Sequence, residues 1–182
     1  MTTATNKKEL QFENHLHTDE ARWFAVYTKY KREKLVRKML QQKGVEVYLP
    51  LQKVTRRYVR KVKHLELPLI NCHLFVKIRQ SEYVPVLETE NVVKFVRIAR
   101  NLISIPEREM DIMRRVVGEK YEVSVEPRQL VVGDAVEIIA GSLTGVRGIL
   151  VKDAERNTVV IELENAGFQL RMDVPVEAIE KI

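Results

Sequence analysis

Side-chain chemistry needs a reactive group and a partner that activates it, and this chain offers few of either. Cys72 is the single cysteine, and His73 follows it directly. Neighbours in a strand point to opposite faces, so thiol and imidazole do not form a nucleophile and its base. His15 and His17 stand two residues apart without a further ligand nearby, which argues against a metal site. No glycine-rich phosphate loop and no metal-spaced Cys/His set occurs. The expected catalytic, metal and cofactor sets are empty, and the chain is read as no enzyme. What it has in quantity is fixed cation. The segment Lys53-Val54-Thr55-Arg56-Arg57-Tyr58-Val59-Arg60-Lys61-Val62-Lys63-His64 places six Lys or Arg within positions 53–63. Charge at that density attracts phosphate, and the binding is strongly salt-dependent. The chemistry expected is recognition.

The charge is unevenly spread. Of the net +6, residues 1–20 carry two basic and four acidic side chains, residues 21–118 carry 22 and nine, and residues 119–182 carry seven and twelve. A basic body and an acidic tail imply two modules with different partners. A single cysteine excludes an internal disulfide framework and fits a reducing compartment. No apolar run approaches the ~20 residues that cross a bilayer, and the N-terminus lacks an apolar leader core. A cytoplasmic monomer without membrane contact is expected.

The elements that must position the cations follow from periodicity. Residues 1–20 show none and are expected to be a disordered extension. Trp23-Phe24-Ala25-Val26-Tyr27-Thr28 reads as a buried strand. Residues 31–43 then change period, with Leu35, Val36, Met39 and Leu40 on one helical face and Glu33 and Arg37 spaced for an ion pair. Gly44 stops this helix, and Val45–Leu49 is a second strand that ends at Pro50. The basic segment alternates loosely with charge on both faces, so it is expected to be a protruding hairpin arm or an edge strand. Beyond Pro68, the run Asn71–Ile78 reads as the central strand.

A short helix over residues 81–88, a strand over 92–98 and a helix ending at Gly118 complete the first module. Ser104-Ile105-Pro106-Glu107 has the spacing of a capping box for that last helix. The expected fold class is α+β: an antiparallel sheet flanked by helices over 21–118, then a linker over 119–129. Five short β-rich runs between turn residues follow over 130–182 and predict a small all-β barrel. Gly141 permits a positive φ in a turn, and Gly148 allows close strand approach.

These residues resemble a known family. Trp23-Phe24-Ala25-Val26-Tyr27, the basic helix, Leu49-Pro50, Pro68-Leu69 leading to Leu74-Phe75-Val76, and Val92-Val93-Lys94-Phe95-Val96 resemble the N-terminal (NGN) domain of NusG-type transcription factors. Gly133-Asp134 and the run Gly141-Ser142-Leu143-Thr144-Gly145-Val146-Arg147-Gly148 resemble the companion KOW module, an SH3-like barrel. Within the family the chain looks like a specialised paralogue. It resembles RfaH and the Bacteroidetes UpxY antiterminators of surface-polysaccharide operons, through Leu49–Val54, the basic segment and the N-terminal extension.

The resemblance implies an elongation and antitermination factor that docks on the clamp helices of the largest subunit of RNA polymerase and suppresses pausing. By position the docking patch comprises Tyr27, Ile70, His73 and Phe75, with Val93 and Phe95 nearby. Where the family usually has Phe-Pro-Gly-Tyr or Phe-Pro-Asn-Tyr, this chain has Ile70-Asn71-Cys72-His73. Nucleic acid, the non-template DNA strand or nascent RNA, would meet Lys29, Lys31, Arg32 and Thr89. Arg56, Arg57, Arg60 and Lys61 are the candidates from the residues themselves, with Tyr58 able to stack on a base. The KOW module, with Gly133, Asp134, Gly141, Gly145, Gly148 and Phe168, would recruit a ribosomal protein or a termination factor. Two other readings stay open: a ribosome- or RNA-binding KOW protein, for which the acidic tail is unsuited, and a general NusG.

Overall fold

The computed structural model describes residues 12–58, 61–118, 123–127, 133–153, 156–163, 166–175 and 178–182. Its N-terminal unit is built on four antiparallel strands in the order β2-β5-β1-β6: β1 (Arg22–Thr28), β2 (Glu46–Tyr48), β5 (His73–Ile78) and β6 (Val92–Phe95). Trp23 to Val26 are all buried, because side chains alternate across a sheet that is covered on both faces. Phe24, Val26, Leu74, Val76 and Ile78 face one way and pack with Val36 and Leu40 of helix α1 (Glu33–Gln42). Trp23, Ala25 and Phe75 face the other way and pack with Met110, Met113 and Val116 of helix α3 (Glu107–Val117). A five-residue helix, α2 (Tyr83–Leu87), leads into β6.

Several local expectations change. The apolar stripe of α1 centres on Val36 and Leu40, which leaves Leu35 exposed. Glu33 is buried and does not pair with Arg37, because its carboxylate accepts the Cys72 backbone N–H at 2.8 Å. No capping box forms at α3, whose N-cap is Pro106. The Glu107 carboxylate instead takes the Trp23 indole N–H at 2.8 Å, Arg114 at 2.9 Å and Lys77 at 3.4 Å. Arg114 is the main reason its pKa lies below the usual carboxylate value.

The basic segment is not one strand but two. β3 (Leu51–Tyr58) pairs antiparallel with β4 (Lys61–Pro68) in a separate two-stranded sheet. Its register runs from Leu51 opposite Pro68 to Tyr58 opposite Lys61, and Leu69 N–H bonded to Pro50 C=O at 2.8 Å closes the root. The hairpin needs neither Gly nor Pro at its tip, so the sequence carried no turn signal there.

Residues 12–20, expected to be loose, are tied to the loop around Leu102 and to Gln80. Leu102 N–H donates to Glu13 C=O and His15 N–H to Leu102 C=O, both at 2.9 Å, and Gln80 N–H donates to His17 C=O at 2.9 Å. A polar segment without periodicity can still be held by its backbone groups, which must find partners. The rest of the expected extension, residues 1–11, lies outside the described residues.

The C-terminal unit is a six-stranded antiparallel sheet in the order β12-β8-β9-β10-β11-β7. It comprises β8 (Asp134–Ile138), β9 (Arg147–Asp153), β10 (Arg156–Leu163), β11 (Phe168–Asp173), β12 (Ile179–Lys181) and one strand more than expected, β7 (Val123–Pro127). β7 falls in the expected linker. It pairs with β11 over five residues, with Pro127 as its last residue, where a missing N–H is tolerated. The turn before β9 uses Gly141 at φ +82 and Gly145 at φ +84. A Cβ on Gly148 would stand 2.6 Å from Val160 O, and one on Gly133 2.3 Å from Leu150 O, so both mark close backbone approach. The expected α+β unit followed by a β-rich unit is the fold observed. Among the described residues, no helix is long and apolar enough to cross a membrane.

Candidate docking face and basic arm

The sheet face that carries Trp23 and Ala25 continues through Tyr27, which the register places opposite His73, as Ala25 is opposite Phe75. Tyr27 and His73 meet edge to face, with centroids 5.1 Å apart. Ile70 and Phe75 are buried beside them in the same apolar cluster. Four of the six expected docking residues are therefore brought together.

Phe95 is not among them. Its neighbour Lys94 is opposite Tyr27, so Phe95 points to the α1 side, where it stacks on Tyr83 at 4.5 Å and meets Phe24 edge-on. It is ordinary core. Val93 is 47% exposed on the edge strand.

The departure at Ile70-Asn71-Cys72-His73 has a defined local structure. Cys72 takes a left-handed φ of 60. Its N–H is held by Glu33, and its carbonyl accepts from Thr28 N–H at 2.7 Å. The His73 ring makes a 2.7 Å Nδ1 hydrogen bond with Asn71 C=O; because a carbonyl only accepts, Nδ1 carries the proton. Burial lowers the His73 pKa, against the Asn71 hydrogen bond and the Glu33 charge, which raise it. A neutral, oriented imidazole thus stands where the family's aromatic ring would be.

This face is covered by the C-terminal unit. The Phe168 ring meets His73 edge to face at 5.1 Å. Trp23, Ile70, Phe75 and Met113 share one apolar cluster with Val136, Ile138, Leu143, Val146, Ile161 and Ala166. Polar contacts frame it. Buried Glu109 accepts the Ala166 N–H at 3.3 Å, and the Arg115 guanidinium donates to Ser142 C=O and, at 3.0 Å, to Thr144 C=O. Phe168, read as a partner contact or barrel filling, packs against the first module. Gly141 and Gly145 shape the turn that Arg115 grips, while Asp134 opens β8.

The cations are arranged differently. Arg22, Lys77, Arg114 and Arg147 each pair with a carboxylate. The side chains of Lys29, Arg32, Lys34, Arg37 and Lys38 around α1, and of Lys53, Arg56, Arg57, Lys61 and Lys63 on the arm, make no ion pair or hydrogen bond among the described residues. Arg56 is directly opposite Lys63 in the register, a like-charge juxtaposition that costs stability in a sheet. Tyr58 occupies the end of β3; Arg60 lies outside the described residues.

The turn from β1 into α1 presents Lys29, Lys31 and Arg32, all exposed, and Lys29 N–H bonds Asn91 C=O at 2.9 Å. Thr89 does not belong with them. It is 3% exposed, its hydroxyl donates to Pro85 C=O at 2.9 Å and accepts from Lys43 Nζ at 2.9 Å, so it ties α2 to the end of α1. Tyr30 is the residue the sequence reading passed over. Its ring is 64% exposed with Lys31 Nζ 5.1 Å from the centroid. The signal was present as an aromatic set within Lys29-Tyr30-Lys31-Arg32. His15 and His17 serve local structure: His15 Nδ1 meets Ser104 Oγ at 3.1 Å, and His17 Nδ1 accepts the N–H groups of Asp19 and Glu20.

A scan against family models matches residues 21–114 to NusG, described as transcription termination factor nusG. The chain belongs to the NusG family. NusG-family proteins are transcription factors, not enzymes. Among solved structures, the chain is similar to one titled "Domain interaction in Thermotoga maritima NusG". The identity is 24%, the match covers 90% of this chain and 98% of that one, and the TM-score is 0.56, a likeness of fold. It also matches a structure of the MjSpt4:Spt5 complex at 20% identity, over 88% of this chain and 96% of that one, with a TM-score of 0.30. No curated protein sequence matches it.

Proposed function

We propose that this NusG-family chain is a transcription elongation and antitermination factor. It docks through Tyr27, Ile70, His73 and Phe75 on the clamp helices of RNA polymerase, with Val93 at the rim. It meets the non-template strand or nascent RNA through its basic arm and the Lys29–Arg32 turn. Its C-terminal KOW unit, with Phe168, then recruits a ribosomal protein or termination factor. The observation that carries the reading is the pairing of two unlike surfaces on one sheet-based body. One is an apolar face with the aromatic character of a protein contact; the other is a set of cationic side chains without partners among the described residues.

Because the C-terminal unit lies on the apolar face, that face cannot be occupied by polymerase and by that unit at once. Docking therefore requires the units to part. A polymerase pull-down and a pause-site transcription assay with the cognate enzyme test this. Arg115→Ala, which removes the two carbonyl contacts, is expected to increase polymerase capture and shorten pausing. His73→Ala, which removes a ring of the face, is expected to reduce polymerase capture and lengthen pausing. Unchanged capture with His73→Ala would overturn the docking assignment. The operon-specific reading rests on Leu49–Val54, the basic arm that follows and the N-terminal extension. A gene at the head of a long biosynthetic operon supports it, and one in a general transcription locus favours a general NusG.

A further inference from the structure

We propose that the groove between α1 and the root of the arm is a track for single-stranded nucleic acid. Lys34 and Lys53 hold phosphates there, and the Tyr30 ring lies under a base. The proposal rests on the nucleic-acid part of the reading above and gives it a site that the arm's tip does not supply.

Lys34 from α1 and Lys53, Thr55, His64 and one acid, Glu66, from the arm line the groove, together with apolar Val54 and Leu65. Walls from two separate elements make this a concave site. Lys34 and Lys53 have no protein partner, and Lys53 forms no ion pair even with Glu66, the acid opposite it in the register. Two unneutralised ammonium groups facing one cleft repel each other until an anion lies between them. Thr55 Oγ1 is 3.1 Å from His64 Nδ1. A hydroxyl that donates to Nδ1 leaves Nε2–H as a directed donor for a phosphate oxygen. The two lysines outnumber the single Glu66 carboxylate, and the aliphatic carbons of Val54 and Leu65 suit the sugar faces of a backbone.

Tyr30 decides between one strand and two. It stands four residues before Lys34, on the turn that enters α1, with its ring 64% exposed beside Lys31. An exposed aromatic ring next to cations provides a stacking platform for an unpaired base. In a duplex, bases already stack on one another and offer the ring nothing.

The test is fluorescence anisotropy with the full chain, a labelled single-stranded DNA and a duplex of the same sequence, over a salt series. Lys34→Gln with Lys53→Gln is expected to flatten the slope of log K against log salt by about 1.4, or about 0.7 per lost phosphate contact on a single strand. Tyr30→Ala is expected to weaken single-strand binding about 5- to 150-fold with the slope unchanged, from the 1–3 kcal/mol of one base stack. Tyr30→Phe keeps native affinity. If only Arg56→Gln with Arg57→Gln weakens binding, the groove proposal falls while the nucleic-acid reading stands. Duplex bound as tightly as single strand overturns the single-strand assignment. If the native chain binds neither probe, both fall, and polymerase capture still reports on the docking reading by itself.

Discussion

The arm and the docking face are near neighbours in sequence, Leu51–Pro68 and Ile70–Phe75, yet the structure treats them in opposite ways. On the docking face the polar groups are engaged and the apolar ones covered: Cys72 N–H on Glu33, His73 on Asn71, and Phe75 at 0% exposed under the C-terminal unit. On the arm, five described cations have no protein partner and two of them oppose each other. A fold selected for stability alone would not keep Arg56 beside Lys63. Under the proposed function, an apolar face loses little by waiting under a cover, whereas cations that are to meet phosphate would lose their use if they were neutralised internally. The difference teaches that stability and recognition are assigned here to adjacent but separate stretches of chain.

The comparison breaks most sharply under substitution at its two ends. Phe75→Ala is expected to cost about 3–5 kcal/mol of unfolding free energy in a urea titration. Arg56→Gln with Arg57→Gln should stay within about 0.5 kcal/mol or stabilise slightly, because like-charge repulsion is relieved. Equal losses from both would show that the arm is structural. The cover is probed next. Gly148→Ala forces a methyl to 2.6 Å from Val160 O and is expected to cost about 1–3 kcal/mol. Amide exchange should then rise in the C-terminal unit and at Ala25 and His73 beneath it, and stay unchanged along the arm.

The smallest effect is that of pH. The His73 pKa is lowered by burial, so the unfolded chain binds its proton more readily than the folded one. The contribution of the neutral ring is therefore complete above the ordinary histidine value of about 6.5 and is lost as pH falls below it toward the folded pKa. A thermal melt series from pH 8 to pH 5 should show this decline, and His73→Ala should remove that part of it. A decline that begins above pH 7 would assign it to another group.

Much of this was legible in the chain. The aromatic-rich β1, the break at Pro50 and the β-prone run to Ile78 marked the sheet, because alternation and turn residues are local signals. Gly141 and Gly148 announced a tight turn and a close strand approach, for the same reason. What escaped were features that depend on a distant partner. Nothing in Ser104–Glu107 says that Trp23 will claim the glutamate, nor in Thr89 that Lys43 will bury it. Val123–Pro127 reads as linker until β11 supplies an edge for it to pair with. Phe95 alternates correctly for a strand, and only its pairing opposite Val26 of β1 decides which face it joins. The four docking residues that did converge come from β1, β5 and the loop before it, two strands whose pairing the hydrophobic pattern dictates.

The added strand also sets how far the two units can separate. While β7 stays zipped to β11, only residues 119–122 join the end of α3 to the C-terminal sheet, a leash of at most about 14 Å. If β7 unzips, the leash runs from 119 to 132 and extends to about 50 Å at full stretch. Five residue pairs between β7 and β11 thus act as a coil of stored rope. A partner that takes the place of β7 on β11 would lengthen the protein's reach by the act of binding it.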